Sequence, residues 1–250
     1  MIKTIVRNFY HNTKIGFLLI HPLIRLKDFY LFNILPEKKL LENRFEKMFG
    51  RKMNWNNPET LNEKIIWLKI HDRSDLHTQC ADKIAVHDYV REMVGEDYLI
   101  PMYFTTANPN EIIPENLPDF PVIIKTNHDS GGGIFVSDKS EVNWEDVQES
   151  LAKRLKKNYY NRTKEWQYKN IVPKILVEKL LISPDGNPPN DLKFHCFNGK
   201  VRMVQVDIAR GTPNHCRNWY DSDWNREPYR WSSPKGKGKF TDPSDEDVPK

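Results

Sequence analysis

The sequence predicts an α+β fold of helices and antiparallel strands, and three observations support this prediction. Segments in which apolar residues recur at helical spacing dominate the first part of the chain. Runs of β-branched and aromatic residues dominate the second half. Two of those runs flank Asn198-Gly199, a dipeptide that favours the tight turn of an antiparallel hairpin. We therefore expect a strand-rich second half with helices interleaved.

The composition is typical of a globular protein with a slight excess of positive charge. The 38 basic and 34 acidic residues give a formal net charge of +4, which permits anionic partners. The chain has no arginine-rich block and no nucleic-acid-binding motif, so we expect no nucleic-acid partner. Its three cysteines, Cys80, Cys196 and Cys216, lack the spacing of a zinc site or a disulfide framework. This favours a reducing compartment, and we expect a cytoplasmic protein.

The N-terminal segment 1–27 is basic and contains no acidic residue. Its apolar run, 15–20, is much shorter than the ~20 residues of a membrane span, and no signal-peptide cleavage site follows it. Such a segment could lie on an anionic membrane surface, which would place the protein at the inner face of the cell membrane. It could equally be a helix packed on the body of the protein, and we favour that second interpretation.

Helices are predicted where apolar spacing meets capping and terminating residues. Thr60-Leu-Asn-Glu63 has the form of a capping box and begins a predicted helix over 61–71. Glycines at 50 and 95 are plausible terminators of two further helices. The basic residues at 153–157 are interpreted as a solvated helix face. The predicted helices cover 33–51, 61–71, 82–94 and 144–160.

A lysine and a glycine-rich loop stand between two short apolar runs. The run 122–124 is followed by Lys125, the loop contains three consecutive glycines at 131–133, and a second run covers 134–136. Glycines adopt positive φ and can turn backbone N–H groups toward an anion, while the lysine can meet a phosphate. The pattern indicates a nucleotide site. A β-hairpin with a flexible glycine turn remains the alternative.

The remaining strand-like runs and turns complete the predicted organisation. Further strands are expected at 175–181, 191–197 and 201–207. The polar connection 105–117 is the best candidate for a domain boundary, and the basic, glycine-rich and then acidic residues after 230 indicate a flexible tail. The expected parts are a basic and apolar helical extension (1–55), an N-terminal lobe that is helical or α+β (56–117), a nucleotide-binding region (118–230) and the tail (231–250).

Eight segments in the same order resemble the TupA-like ATP-grasp proteins, a bacterial group tied to the synthesis of capsule and other surface polysaccharides. Together they extend from about residue 55 to about residue 230. The matching segments are 57–73, 81–90, 95–101, 125–139, 165–170, 173–179, 191–199 and 207–210. The resemblance implies an ATP-grasp-like fold, in which two α+β lobes with antiparallel sheets clamp a nucleotide.

The resemblance also assigns roles to individual residues. Lys83 and Lys125 are expected to meet the phosphates of ATP, and the loop Ser130, Gly131, Gly132 and Gly133 to cover the β- and γ-phosphates.

Further roles follow for residues in the second half of the chain. Glu178 is expected to contact adenine and ribose, and the backbone of Lys179 and Leu180 the adenine ring. Asp191 would contact the ribose and Lys193 a phosphate. Arg210 would meet the transferred phosphoryl group or an acidic substrate, so Lys193 and Arg210 are the candidate catalytic residues.

The implied reaction activates a carboxylate as an acyl phosphate, which an amine then attacks to give an amide. It uses ATP and Mg²⁺, with carboxylate and amine substrates expected among polysaccharide precursors. The family's metal-binding acids are expected beyond residue 250, so the magnesium ligands are left unassigned. Two alternatives stay open: a glycosyltransferase, suggested by the Asp-x-Asp pattern Asp221-Ser-Asp223, and a non-catalytic nucleotide-binding protein.

Overall fold

The computed structural model describes residues 9–10, 12–183, 186, 189–209 and 215–228. The chain divides into two compact units, Met1–Lys179 and Leu180–Lys250. The expected tail at 231–250 and Arg210 lie outside the described residues. The four-part division of the sequence stays a prediction.

Helices make up much of the first unit. The capping box at Thr60 is formed, since the Thr60 side chain accepts from Glu63 N and the Glu63 carboxylate accepts from Thr60 N. The helices are α1 (Lys14–Phe29), α2 (Glu37–Phe49), α3 (Leu61–His71), α4 (Asp75–Ala81), α5 (Ala85–Val94), α6 (Trp144–Leu155) and α7 (Tyr159–Thr163).

Three of the four predicted helices have different bounds: the helix predicted over 82–94 begins at Ala85, and two others differ for local reasons. The helix predicted over 33–51 begins at Glu37, because Leu35 is extended before Pro36, as proline requires of its predecessor. A short π-helical segment, Tyr30–Ile34, joins α1 to this point. The helix predicted over 144–160 stops at Leu155, and a separate helix starts after Asn158, whose side chain caps it.

The N-terminal segment is helical but exposes its apolar face. Gly16 is the buried residue of α1, so the favoured packing on the body of the protein is wrong for the described part of this helix. Five aliphatic side chains on α1 are between 62% and 68% exposed: Ile15, Leu18, Leu19, Leu23 and Leu26. No described helix is long and apolar enough to cross a membrane.

A four-stranded antiparallel sheet organises the first unit. Its strands are β1 (Met102–Thr106), β2 (Val122–Thr126), β3 (Ile134–Val136) and β4 (Ile175–Lys179), in the order β1-β4-β2-β3. Alternate residues of a strand face opposite sides of the sheet. Val122 and Ile124 are fully buried in the main core beside Leu151 of α6. Lys125 therefore points to the opposite face.

The second unit contains a three-stranded antiparallel sheet. Its strands are β5 (Asp191–Phe197), β6 (Lys200–Ile208) and β7 (Cys216–Tyr220), in the order β5-β6-β7. Asn198 and Gly199 join β5 to β6 with φ of 52° and 73°, which confirms the predicted hairpin turn. Val204, Val206 and Tyr220 form the small core of this sheet.

Candidate functional site

Lys125 and Glu178 lie on the same face of the first unit's sheet. Glu178 on β4 pairs in register with Ile123 on β2, so the Lys125 side chain is its diagonal neighbour. The Lys125 ammonium donates to the Glu178 carboxylate. Glu178 is only 5% exposed, and this ion pair compensates its buried charge.

Helix α5 adds a titratable group to this pair. His87 Nε2 lies 3.7 Å from Glu178 Oε1, and the His87 side chain is mostly buried. Glu178 is therefore flanked by Lys125 from one side and by an imidazole from the other. The sequence pattern gave no reason to select His87, because contact between α5 and β4 depends on tertiary packing.

Lys83, in the turn before α5, holds the segment that follows β2. Its ammonium donates to the backbone carbonyls of Thr126 (2.9 Å) and Asp129, and lies 3.8 Å from the Asp129 carboxylate. Burial lowers the pKa of Lys83, and the positive charges of Arg154 and Lys125 lower it further against the opposing effect of Asp129. The two lysines expected to meet phosphates are thus close enough to repel each other.

Asn127, at the start of the glycine loop, has a buried side chain that makes three hydrogen bonds. Its side-chain nitrogen donates to Asp82 Oδ1 and to the Val172 carbonyl, both at 3.0 Å. Its side-chain oxygen accepts from Lys174 N at 2.7 Å. The side chain is 1% exposed, so these bonds fix the start of the loop to the turn before α5 and to the segment before β4.

Arg154 of α6 binds the glycine loop through hydrogen bonds from its guanidinium group. Its Nε and Nη2 atoms donate to both carboxylate oxygens of Asp129 at 2.8–3.0 Å. Nη2 also donates to the Gly131 carbonyl at 2.7 Å, and Nη1 donates to the Gly132 carbonyl. The interpretation of 153–157 as a solvated face is wrong for Arg154, whose side chain is only 16% exposed.

The loop presents features that suit an anion. Ser130, Gly131 and Gly132 are exposed, and their N–H groups make no hydrogen bond to any described residue. Gly131 and Gly132 have φ of 81° and 71°, a conformation that other residues adopt at a cost. Partnerless N–H groups beside two lysines make a set of donors that a polyphosphate can occupy.

The second unit brings other predicted residues together. Lys193 on β5 donates to the carboxylates of Asp191 and Asp207, the latter at 3.0 Å. Asp207 on β6 is fully buried and also accepts from Arg217 (2.5 Å and 3.1 Å) and from Gln205 (2.9 Å).

The hydrogen bonds to Asp207 decide its charge state. His215 Nε2 completes the set, 3.2 Å from Asp207 Oδ1. Burial raises the pKa of Asp207, but the bonds from Arg217, Lys193, His215 and Gln205 outweigh it and hold the pKa well below its usual range. Asp207 is an ionised centre that orients the cations around it.

The remaining predicted residues have simpler surroundings. The Lys179 N–H approaches the Pro101 carbonyl at 3.4 Å, and Leu180 follows at the start of the second unit. Among the described residues, no three histidine, cysteine or acidic side chains are arranged to hold a metal ion. The magnesium ligands remain unassigned.

Comparison with known proteins identifies the family of this chain. The family model for TupA-like ATP-grasp proteins matches residues 63–245, most of the chain. No curated protein and no solved structure matches the chain. ATP-grasp proteins generally use ATP and Mg²⁺, and membership supports a ligase of the ATP-grasp type. With its helices and two antiparallel sheets, this α+β chain belongs to the TupA-like ATP-grasp family.

Proposed function

We propose that this protein is an ATP-dependent carboxylate–amine ligase that acts on precursors of capsule or another surface polysaccharide. The observation that supports this best is the glycine loop, where the exposed N–H groups of 130–132 have no partner among the described residues and follow the segment that Lys83 and Lys125 flank. Family membership supports the ATP-grasp type of ligase.

The residues of the first unit have distinct roles in this proposal. Lys125 leaves Glu178 to meet a phosphate, and the loop N–H groups bind the phosphate oxygens. Lys83 keeps the loop in position and adds positive charge. The backbone of Lys179 and Leu180 receives the adenine ring, and Glu178 contacts adenine and ribose. Mg²⁺, when bound, neutralises phosphate charge.

The second unit contributes the remaining predicted groups. Lys193 meets a phosphate once it exchanges one of its two carboxylate partners, and Asp191 contacts the ribose. Arg210 meets the transferred phosphoryl group or the acidic substrate. Because guanidinium binds carboxylate and phosphate in a bidentate manner, arginine suits either task.

The proposed reaction has two steps. An oxygen of the substrate carboxylate attacks the γ-phosphorus of ATP, the bond to the β-phosphate oxygen breaks, and ADP leaves with an acyl phosphate formed. The amine nitrogen then attacks the acyl carbon, inorganic phosphate leaves, and the nitrogen loses a proton to give the amide. Both steps concentrate negative charge on phosphate oxygens, which the cations of the site stabilise.

Calorimetric titration with a non-hydrolysable ATP analogue and Mg²⁺ tests the proposal. We expect the parent chain to bind and Lys125→Ala to lose most of the affinity, because the substitution removes a phosphate-binding charge. Lys153→Ala is the matched control, since that lysine is 64% exposed and its ion-pair partner among the described residues is the equally exposed Glu149. Equal affinity in the two variants would count decisively against the proposed site.

The glycosyltransferase alternative gains no support from its own motif. Asp221 accepts from the N–H groups of Asp223 and Asn225, both at 2.8 Å, and from the Asn225 side chain at 2.9 Å. Its carboxylate thus stabilises a local turn. Competition between a UDP-sugar and the ATP analogue separates this alternative from the ligase. Tight ATP binding without ADP release, with candidate substrates supplied, would favour the non-catalytic alternative.

We further propose that α1 attaches the protein to the inner face of the cell membrane. The support is its row of exposed aliphatic side chains, flanked by Lys14, Arg25 and Lys27. Apolar side chains enter the headgroup region while basic ones meet anionic lipids.

A further inference from the structure

A cavity of about 600 Å³ lies in the first unit, between α3, α4 and the short 3₁₀ helix Trp166–Tyr168. This volume falls in the range of small-molecule sites. Segments 57–73 and 165–170, which resemble the family but have no part in the nucleotide site, both contribute to its walls.

One wall of the cavity is apolar and accessible. Ile65 and Leu68 lie one helical turn apart on α3 and are 46% and 44% exposed. The indole of Trp166 provides a flat surface beside them. An aromatic face next to aliphatic side chains suits the C–H face of a compact ring.

The polar groups of the cavity leave one carboxylate weakly compensated. Lys69 lies 3.4 Å from Glu165, so these two charges neutralise each other. Asp72 makes no ion pair with a lysine or arginine among the described residues, and His77 Nε2 lies 4.0 Å from its carboxylate. Arg73, 5.9 Å from the Trp166 ring centre, is neutralised by Glu37 at 2.5 Å. The cavity therefore favours a cation or a neutral group over an anion.

Two further side chains offer unused hydrogen-bonding capacity. Gln167 and Tyr168 line the cavity, and the side-chain amide of the first and the hydroxyl of the second make no hydrogen bond to any described residue. Donors and acceptors around an apolar surface match a molecule with hydroxyl groups on a compact ring.

The cavity is linked to the glycine loop through Lys83, whose ammonium donates to the Asp129 carbonyl just before the loop. Cys80 and Ala81 line it at the end of α4, and Lys83 follows two residues later. Burial raises the pKa of Tyr168, and the neighbouring Glu165, Tyr159 and Asp129 add to that effect.

We infer that this cavity binds the amine substrate of the ligase, and that this substrate is an amino sugar. Its ammonium group meets Asp72, its ring lies on Trp166, and its hydroxyl groups reach Gln167 and Tyr168. The assignment rests on the proposed ligase function, because only a ligase of this type requires an amine beside the phosphate loop.

Three probes with the same six-membered ring test the charge preference: glucosamine, glucose and glucuronate. Their dissociation constants are measured by NMR titration of the full chain without nucleotide. We expect glucosamine to bind tightest and glucuronate weakest. Asp72→Asn should weaken glucosamine binding about fivefold, as loss of a half-exposed charge-assisted hydrogen bond would, and leave glucose binding unchanged. Trp166→Leu should weaken the binding of both glucosamine and glucose.

Asp97→Asn is the matched control, an exposed aspartate on the 3₁₀ helix Glu96–Tyr98. It should behave as the parent chain does. Glucuronate binding as tight as glucosamine binding, no effect of Asp72→Asn, or no binding of any probe would overturn the inference. If the chain binds glucosamine but does not bind the ATP analogue, the ligase proposal is refuted instead. The failure of the amino-sugar site and the failure of the ligase proposal are therefore distinguishable.

Discussion

Substitution of Arg154 by alanine should weaken nucleotide binding by releasing the glycine loop. The guanidinium holds the Asp129 carboxylate and the carbonyls of Gly131 and Gly132. Without it the two glycines gain freedom that nucleotide binding must remove again. Fixing one residue's backbone costs about 1–2 kcal/mol, so ordering both costs about 2 kcal/mol or more. That corresponds to an increase in Kd of about thirtyfold.

The assay is calorimetric titration of Arg154→Ala with the ATP analogue and Mg²⁺. Lys153→Ala, next to it on the same helix but 64% exposed, controls for loss of a positive charge near the site. Circular dichroism checks that both variants keep their secondary structure. The reasoning is refuted if the two variants bind equally, or if Arg154→Ala binds more tightly, since the contact would then hold the loop closed.

Two glycine substitutions examine the same contact independently. An added Cβ at Gly132 would lie 2.5 Å from Arg154 Nη1, whereas one at Gly131 meets nothing within 4 Å. Both positions have positive φ, so the backbone strain of about 1–2 kcal/mol is shared. Gly132→Ala should therefore weaken nucleotide binding more than Gly131→Ala. An equal loss of nucleotide affinity in the two variants would mean that the Arg154 contact does not contribute to nucleotide binding.

Two further predictions concern the second unit and α1. Asp207→Asn should lower the unfolding free energy by about 2 kcal/mol at pH 7, since it removes the charge that compensates Lys193 and Arg217. Because the folded pKa of Asp207 lies below the ordinary 3.8, this contribution is present above pH 3.8 and is lost as the pH falls through the folded pKa. The difference in unfolding free energy between the parent chain and Asp207→Asn, measured by urea unfolding, should therefore narrow in acid, and a constant difference would contradict the prediction. The chain should sediment with phosphatidylserine vesicles more than with phosphatidylcholine vesicles, and a double substitution of Leu18 and Leu19 by aspartate should abolish this, unlike Met48→Asp, a control on α2 that is 76% exposed. Equal sedimentation with both lipids would refute the proposed attachment.

Local sequence patterns correctly predicted those secondary-structure elements whose conformation depends on neighbouring residues. The helix over 61–71 has the predicted bounds because Thr60 and Glu63 cap it within one turn. The strands at 134–136 and 191–197 also match, and the Asn198-Gly199 turn has the positive φ values that its residues favour. Strand β1 was missed, because its pairing with β4 depends on residues far along the chain.

The candidate site was only partly predictable for the same reason. The sequence alone determined a lysine at a strand end, a glycine loop with positive φ and a hairpin, because backbone conformation follows local chemistry. The tertiary structure decided that Lys125 pairs with Glu178 from β4, that Arg154 from α6 holds the loop, and that Asp207 is buried among cations. These contacts join residues distant in sequence, so they depend on strand register and helix packing, which local residue preferences do not specify.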